Sequence, residues 1–444
     1  MIYLSLLAVI VLHVALFSRR GLLDPVSVFF LAFLYYSYLT PIVMLNFDIF
    51  SVDFAGAASW VTADTINKAA ILFLVGYTGF SSAYFLFTGG SKGSQFESPN
   101  LKLDELLKDR YLLSIIAFAV LIIAILTTVF RDALLASTES YEGKISGNYS
   151  NSSYAFLLSV ALTAFSLIVN YIVLNSRRFL LAAAVGVVLC LLLTILTFSK
   201  YPLIFAALCT FCALHRMKWL PFPVLITGLI IGSVLMTVLF LPMFSEFRAT
   251  GRLEFSGFSA RSVNLMIAEA SSPFSIVHLG FSGYIRPEGH PLWHSFALWI
   301  PRAIWPDRPL DIAEGFAQQV IVNWQAGFGL GFSPFAEAYA RVGLYGSFFF
   351  MAMVGAIMAL LQRGFAALVP PEMRIPATLT IGGIVSVLVL RGAFSGLITQ
   401  SLQNWVPIVL MSLIASQVVR FTGGQRPFAG GMPASGPGLS ARHG

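Results

Sequence analysis

The positively charged residues between 243 and 342 are all arginine: Arg248, Arg252, Arg261, Arg286, Arg302, Arg308 and Arg341, with no lysine among them. A guanidinium presents a flat fork of N–H donors that meets a carboxylate or phosphate with two parallel bonds, whereas an ammonium is a compact point charge. Exclusive use of the fork points to recognition of such an anion, because lipid headgroups alone would accept lysine equally well. Three further bases stand at the ends of long apolar runs or inside them: Arg131, Lys200 in the corner Ser199-Lys200-Tyr201-Pro202, and Arg391. Charge at such positions is costly and by default functional. Together these residues could form a basic funnel sized for a pyrophosphate. For any single arginine a plainer reading stays open, either snorkelling to a phospholipid phosphate or pairing with a loop acid such as Glu246 or Glu254.

Acids and imidazoles lie in the same stretch. Glu254, Glu269, Glu288, Asp307, Asp311, Glu314, Glu337, His278, His290 and His294 are all candidates to take a proton from a reacting hydroxyl. Their spacing does not choose among them. His290-Pro-Leu-Trp-His294 has the i, i+4 spacing of a helical metal pair, but Pro291 sits inside it and no third ligand is evident, so no metal site is expected. There is no phosphate-cradling glycine loop and no Asp-x-Asp pair in this stretch. The reading is a metal-independent and cofactor-free chemistry in which basic side chains do the work of a cation.

The elements that must position these groups are membrane helices. Hydrophobic residues make up 57% of the 444-residue chain and charged residues 11%, against about 25% charged in soluble domains. Apolar runs of about twenty residues, the length that crosses a bilayer core, recur along it. We read about eleven spans, near 1–17, 26–45, 66–88, 111–130, 154–174, 179–198, 201–216, 219–242, 336–361, 376–397 and 403–420. The first is a retained helix and not a cleaved signal, because Arg19-Arg20 follow the apolar run instead of preceding it. Lys and Arg then mark the cytoplasmic loops: Arg19-Arg20; Lys92, Lys102, Lys108 and Arg110; Arg177-Arg178; Arg216 and Lys218; Arg363 and Arg374; Arg420 and Arg426. The loop 46–65 has Asp48, Asp53 and Asp64 and no base between them. This pattern gives an N-out, C-in topology, and the net charge of +7 reflects it, with no nucleic-acid partner implied. Cys190, Cys209 and Cys212 fall within spans and read as small buried apolar residues.

The expected architecture is therefore all-α and polytopic. One transmembrane domain covers 1–421, and a Gly- and Pro-rich cytoplasmic tail, 422–444, is too poor in apolar residues to pack. Within the domain the segment 243–335 is a single large outer loop. Loops of that length usually carry function. Ser262–Ile285 and Leu292–Ile300 are expected there as short amphipathic helices on or in the outer leaflet, forming a lid.

Within this loop, the string Trp299-Ile-Pro-Arg-Ala-Ile-Trp-Pro-Asp-Arg-Pro309 resembles the Wzy-type polymerases of bacterial O-antigen and exopolysaccharide repeat units. Ser333-Pro-Phe-Ala-Glu337-Ala-Tyr-Ala-Arg-Val-Gly343-Leu-Tyr-Gly346 and the Ser199–Pro202 corner are similar to segments of the same proteins. The resemblance extends in topology over nearly the whole chain, although its motifs are short. One departure is plain: no outer arginine has a glycine eleven positions on, so the Arg-x10-Gly pattern of some members is absent. The resemblance implies the membrane glycosyltransferase architecture shared with O-antigen ligases, at the outer face of a bacterial inner membrane. It implies a growing glycan on undecaprenyl diphosphate as donor and a repeat unit on the same lipid as acceptor. A flippase and a chain-length regulator of the same pathway would be its partners. On that reading Arg302 is catalytic, with Glu337 first and His294 second as general base. Lys200, Arg131, Arg248, Arg252, Arg261, Arg308, Arg341 and Arg391 would surround the pyrophosphate, whose charge grows as the glycosidic bond breaks.

Rival readings are an O-antigen ligase with the same donor, a lipid-linked sugar flippase, and a non-catalytic assembly subunit whose arginines bind headgroups. Trp293, Trp299 and Trp324 read first as interfacial anchors, and sugar stacking is their alternative role.

Overall fold

A computed structural model describes residues 1–18, 20, 23–47, 51–54, 57–89, 110–129, 131, 152–196, 201–217, 273–297, 300, 304–305, 307–320, 332–369 and 371–421. Apart from one short hairpin, the described elements are helices. In chain order they are α1 (Ile2–Phe17), α2 (Pro25–Phe33), a π-helical turn (Leu34–Leu39), α3 (Thr40–Phe47), α4 (Ala63–Phe87), α5 (Arg110–Thr128), α6 (Ser152–Asn175), α7 (Phe179–Leu196) and α8 (Tyr201–Arg216). These are followed by α9 (273–281), α10 (His294–Ala297), α11 (Ile312–Val320), α12 (Pro334–Leu368), α13 (Pro371–Leu390) and α14 (Phe394–Phe421). Each expected span carries a helix except 219–242, which lies outside the described residues, as do the tail 422–444 and residues 243–272 of the large loop. Among the described residues, four helices are long and apolar enough to cross a membrane, within 25–46, 63–87, 157–175 and 334–365, and shorter apolar helices accompany them. The chain is a mostly helical protein of membrane type.

Two local features have a plain physical cause. Pro41 has no N–H to give and its ring crowds the carbonyl four residues back, at Ser37; the wide turn Leu34–Leu39 absorbs that conflict and lets the helix resume as α3. The stretch 46–65, expected as a plain loop, contains an antiparallel hairpin in which β1 (Ser51–Phe54) pairs with β2 (Ala57–Trp60), Ser51 opposite Trp60.

The centre of the bundle is the packing of α4 on α12. A Cβ on Gly79 would collide with the Phe348 carbonyl oxygen, and one on Gly355 with that of Phe80; one on Gly76 would come within 2.7 Å of the Phe335 ring. In lipid, where burial of apolar area gives no drive, backbone approach through small residues is what holds helices together. Aromatic rings fill the adjoining space, with Phe29 stacked on Phe80 at 3.9 Å and Phe33 on Tyr77 at 4.8 Å. Polar pairs add cross-links: the Asn170 amide donates to Thr380 Oγ1 at 2.9 Å, tying α6 to α13, and Ser5 donates to the Ala70 carbonyl at 2.6 Å, tying α1 to α4. Each such pair contributes about 0.6 kcal/mol.

Arg20 and Arg363, which the charge pattern had put on one side, do share one end of the bundle. Arg20 donates to Thr88 Oγ1 at 2.6 Å and pairs with Asp24 at 3.5 Å, while Arg363 donates to the Phe87 carbonyl at 2.7 Å. Glu337 lies at the other end of α12, roughly 40 Å away at helical rise.

The structure corrects three expectations. The apolar face of helix α9, expected to meet the outer leaflet, packs into the protein: Phe274, Ile276, Val277 and Leu279 on it are in the main core, and Phe281 meets Tyr339 at 4.7 Å. Its apolar face is covered by the bundle itself. Helix α11, unforeseen in the sequence, supplies Ile312 and Phe316 to the same core. Finally, the last two helices meet at 391–393 and not at 398–402. Arg391-Gly392 makes the turn, and the polar run near Ser401, read as a loop, is helical with Ser401 facing inward. Arg391 thus sits in a connection between helices and not within a span.

Candidate active site

The head of α12 begins with Pro334 at its first position, where a missing N–H costs nothing. Gly343, at φ 70° and ψ −175°, interrupts the helix. The segment 334–342 is thereby a separate short helix preceding the long apolar one. Glu337 and Arg341 lie on one face of it, one turn apart. Arg341 Nε donates to Glu337 Oε1 at 2.7 Å, and the Glu337 side chain is fully enclosed while that of Arg341 is 12% exposed.

The other Glu337 oxygen, Oε2, accepts from the Phe394 backbone N–H at 2.6 Å. Phe394 is the first residue of α14, and its neighbour Ser395 donates its hydroxyl to Asp311 Oδ2. Two buried carboxylates therefore converge on one helix N-terminus, where unpaired N–H groups and the helix dipole favour negative charge. Asp311 Oδ1 also accepts from the Glu314 N–H at 2.7 Å and starts α11.

Leu310, immediately before Asp311, orients both histidines of the loop. Its carbonyl oxygen lies 3.1 Å from His290 Nδ1 and 3.1 Å from His294 Nδ1. A carbonyl only accepts, so each neutral ring carries its proton on Nδ1 and keeps Nε2 as an acceptor. Gly315 makes room for the His290 ring, with which any Cβ there would collide. His294 is half-buried, its ring edge-to-face with Trp293 at 4.2 Å. Phe296, two residues on, meets Phe394 at 5.9 Å, so the histidine segment packs on the same α14 terminus.

Arg391 enters from the turn before α14, its guanidinium carbon 5.6 Å from the Tyr36 ring centroid. Tyr36 belongs to the π turn, a feature often found at functional sites. Arg308 secures the loop: its Nη1 donates to the Ile300 carbonyl at 2.9 Å. His278, on α9, is 7% exposed, and its Nδ1 is buried with no hydrogen-bond partner among the described residues. Burial pushes its imidazole below the ordinary histidine value.

Of the sequence candidates, Glu337, Arg341, Arg391 and His294 come together around the start of α14. Arg131 is exposed, and no hydrogen bond or ion pair among the described residues joins it to them. Arg302, Lys200, Arg248, Arg252 and Arg261 lie outside the described residues. Among those described, no group of three or more His, Cys, Asp or Glu is placed to hold a metal ion. Asp311 had been one acid among many, and Ser395 and Tyr36 had no spacing to mark them; only Pro41, which forces the π turn, was a usable signal for the last. Around the start of α14 the cluster offers guanidinium groups for charge stabilisation and an imidazole whose Nε2 is an acceptor for proton removal. No protein-family model, no curated protein and no solved structure matches this chain.

Proposed function

We propose that this protein is a metal-independent glycosyltransferase that polymerises undecaprenyl-diphosphate-linked oligosaccharide units at the outer face of a bacterial cytoplasmic membrane. The observation that carries the reading is the Glu337–Arg341 pair, locked on the first N–H of α14 beside Arg391. A guanidinium whose orientation is preset stabilises charge developing on a leaving diphosphate without reorganising during the reaction. The resemblance of the 299–309 string to Wzy-type polymerases supports the same reading, with Arg302 as a further cationic group.

The roles divide by accessibility. Glu337 has both oxygens engaged and no exposure, so in this scheme it positions Arg341. His294, half-buried with Nε2 as acceptor, takes the proton of the attacking acceptor hydroxyl. That hydroxyl oxygen bonds to the donor's anomeric carbon, the bond from that carbon to the diphosphate breaks, and undecaprenyl diphosphate leaves with the electron pair. A flippase and a chain-length regulator of the pathway would supply substrate and set product length.

The test is the lipid-linked glycan of cells lacking the gene, complemented with wild type or with Arg302→Ala. Accumulation of single repeat units, relieved by wild type alone, supports a polymerase that depends on Arg302. Long chains retained on the carrier lipid would identify a ligase instead.

A further inference from the structure

Trp293 is 56% exposed although its indole stands edge-to-face with the His294 ring, the planes at 88°. A large apolar ring left open beside a candidate base calls for an occupant. We propose that Trp293 is the platform on which a sugar ring of the acceptor glycan stacks, presenting its hydroxyl to His294. This inference rests on the glycosyltransferase reading above and adds to it a subsite for the acceptor carbohydrate.

Three observations favour a sugar over a lipid chain as the occupant. A pyranose has an apolar face of C–H groups that matches an aromatic face, and a rim of hydroxyls left for polar neighbours; an indole gives that contact with little loss of freedom. The contact with His294 fixes the plane of the indole, a constraint that stacking needs and that anchoring among headgroups does not. Arg286 and Glu288, both exposed, precede Trp293 closely in sequence; they suit water and glycan hydroxyls and would be costly in an acyl layer. Tyr284 and Trp305 are 59% and 37% exposed on the same loop. Trp293, in contrast, touches the histidine whose tautomer Leu310 fixes.

The experiment uses the full chain reconstituted in vesicles, as wild type, Trp293→Ala and Trp293→Phe. The probe is the delipidated repeat-unit oligosaccharide, released by mild acid from cells lacking the gene, and binding is read by saturation-transfer NMR. Trp293→Ala is expected to weaken binding roughly five- to tenfold, the size of one aromatic stacking contact. Trp293→Phe should restore most of it. Elongation assays should show the same rise in half-saturating acceptor. Unaltered oligosaccharide binding by Trp293→Ala, together with quenching of wild-type fluorescence by brominated lipid that this variant loses, would make Trp293 a membrane anchor and overturn the proposal. Wild-type protein that neither binds the oligosaccharide nor elongates chains would instead overturn the glycosyltransferase reading itself.

Discussion

Glu337 holds Arg341 through a 2.7 Å bond from Nε while its second oxygen caps the backbone of Phe394. One carboxylate thereby joins the head of α12 to the start of α14. A buried ion pair of this kind is costly to break from one side, because the remaining charge is stranded. Arg341→Ala should therefore destabilise the protein by about 3–5 kcal/mol and abolish product. Pairing it with Glu337→Gln, which keeps an acceptor for the Phe394 N–H, should recover most of the thermal stability and none of the glycan. Melting curves in detergent and glycan ladders separate the two effects. Equal loss of both in the double variant would reduce the pair to a structural role.

The α4–α12 contact sets a second expectation. Gly79 lies against the Phe348 carbonyl with no room for a methyl group, whereas a Cβ on Gly364 in the same helix pair meets nothing within 4 Å. Gly79→Ala should force the helices apart at a cost of roughly 1–3 kcal/mol. Gly364→Ala should be neutral or stabilising by up to about 1 kcal/mol, since alanine is the better helix former. Thermal unfolding of the two variants in the same detergent checks the contrast, and similar melting temperatures would contradict the packing described.

What was legible from sequence follows from how each signal arises. A run such as Ile2–Phe17 or Phe179–Leu196 announces a helix because lipid leaves the backbone few other ways to satisfy its hydrogen bonds. Glu337 and Arg341 could be singled out because charge beside an apolar run needs a cause. The junction at Arg391–Ala393 was misplaced because a dip in hydropathy at Gln400–Asn404 looks the same whether a helix ends or merely turns polar residues inward. The burial of α9 was invisible for a related reason: an amphipathic segment shows that one face is covered, not by what. Contacts between distant segments, such as Asp311 with Ser395, left no local trace at all.

That Asp311–Ser395 bond predicts a third outcome. Asp311 is 4% exposed, begins α11 and grips the α14 terminus, directly after the carbonyl that orients both histidines. Asp311→Ala would leave the Ser395 hydroxyl and the Glu314 N–H unmatched, a loss of about 1–3 kcal/mol. Asp311→Asn retains an acceptor and should fold nearly as well. If Asp311 acts by placing the histidine pair, Asp311→Asn should lower the maximal rate of chain elongation at unchanged half-saturating acceptor. A reduced melting temperature with full activity would confine Asp311 to holding the fold.

His278 gives the protein a pH dependence whose sign is fixed. Burial lowers its imidazole below the ordinary value, so between the lowered and the ordinary value the unfolded chain binds a proton that the folded one excludes. Stability then rises with pH across that window. It is complete above the ordinary histidine value of about 6.5 and is lost progressively as pH falls toward the lowered one. The comparison must be with a variant that changes this ring alone. His278→Gln keeps a polar side chain without a basic nitrogen. Melting temperatures of wild type and His278→Gln, measured from pH 7.5 to 5, should diverge, the wild type falling more steeply. Parallel curves would mean that His278 is not held neutral by burial, and that its Nδ1 finds a proton or a partner in the folded protein.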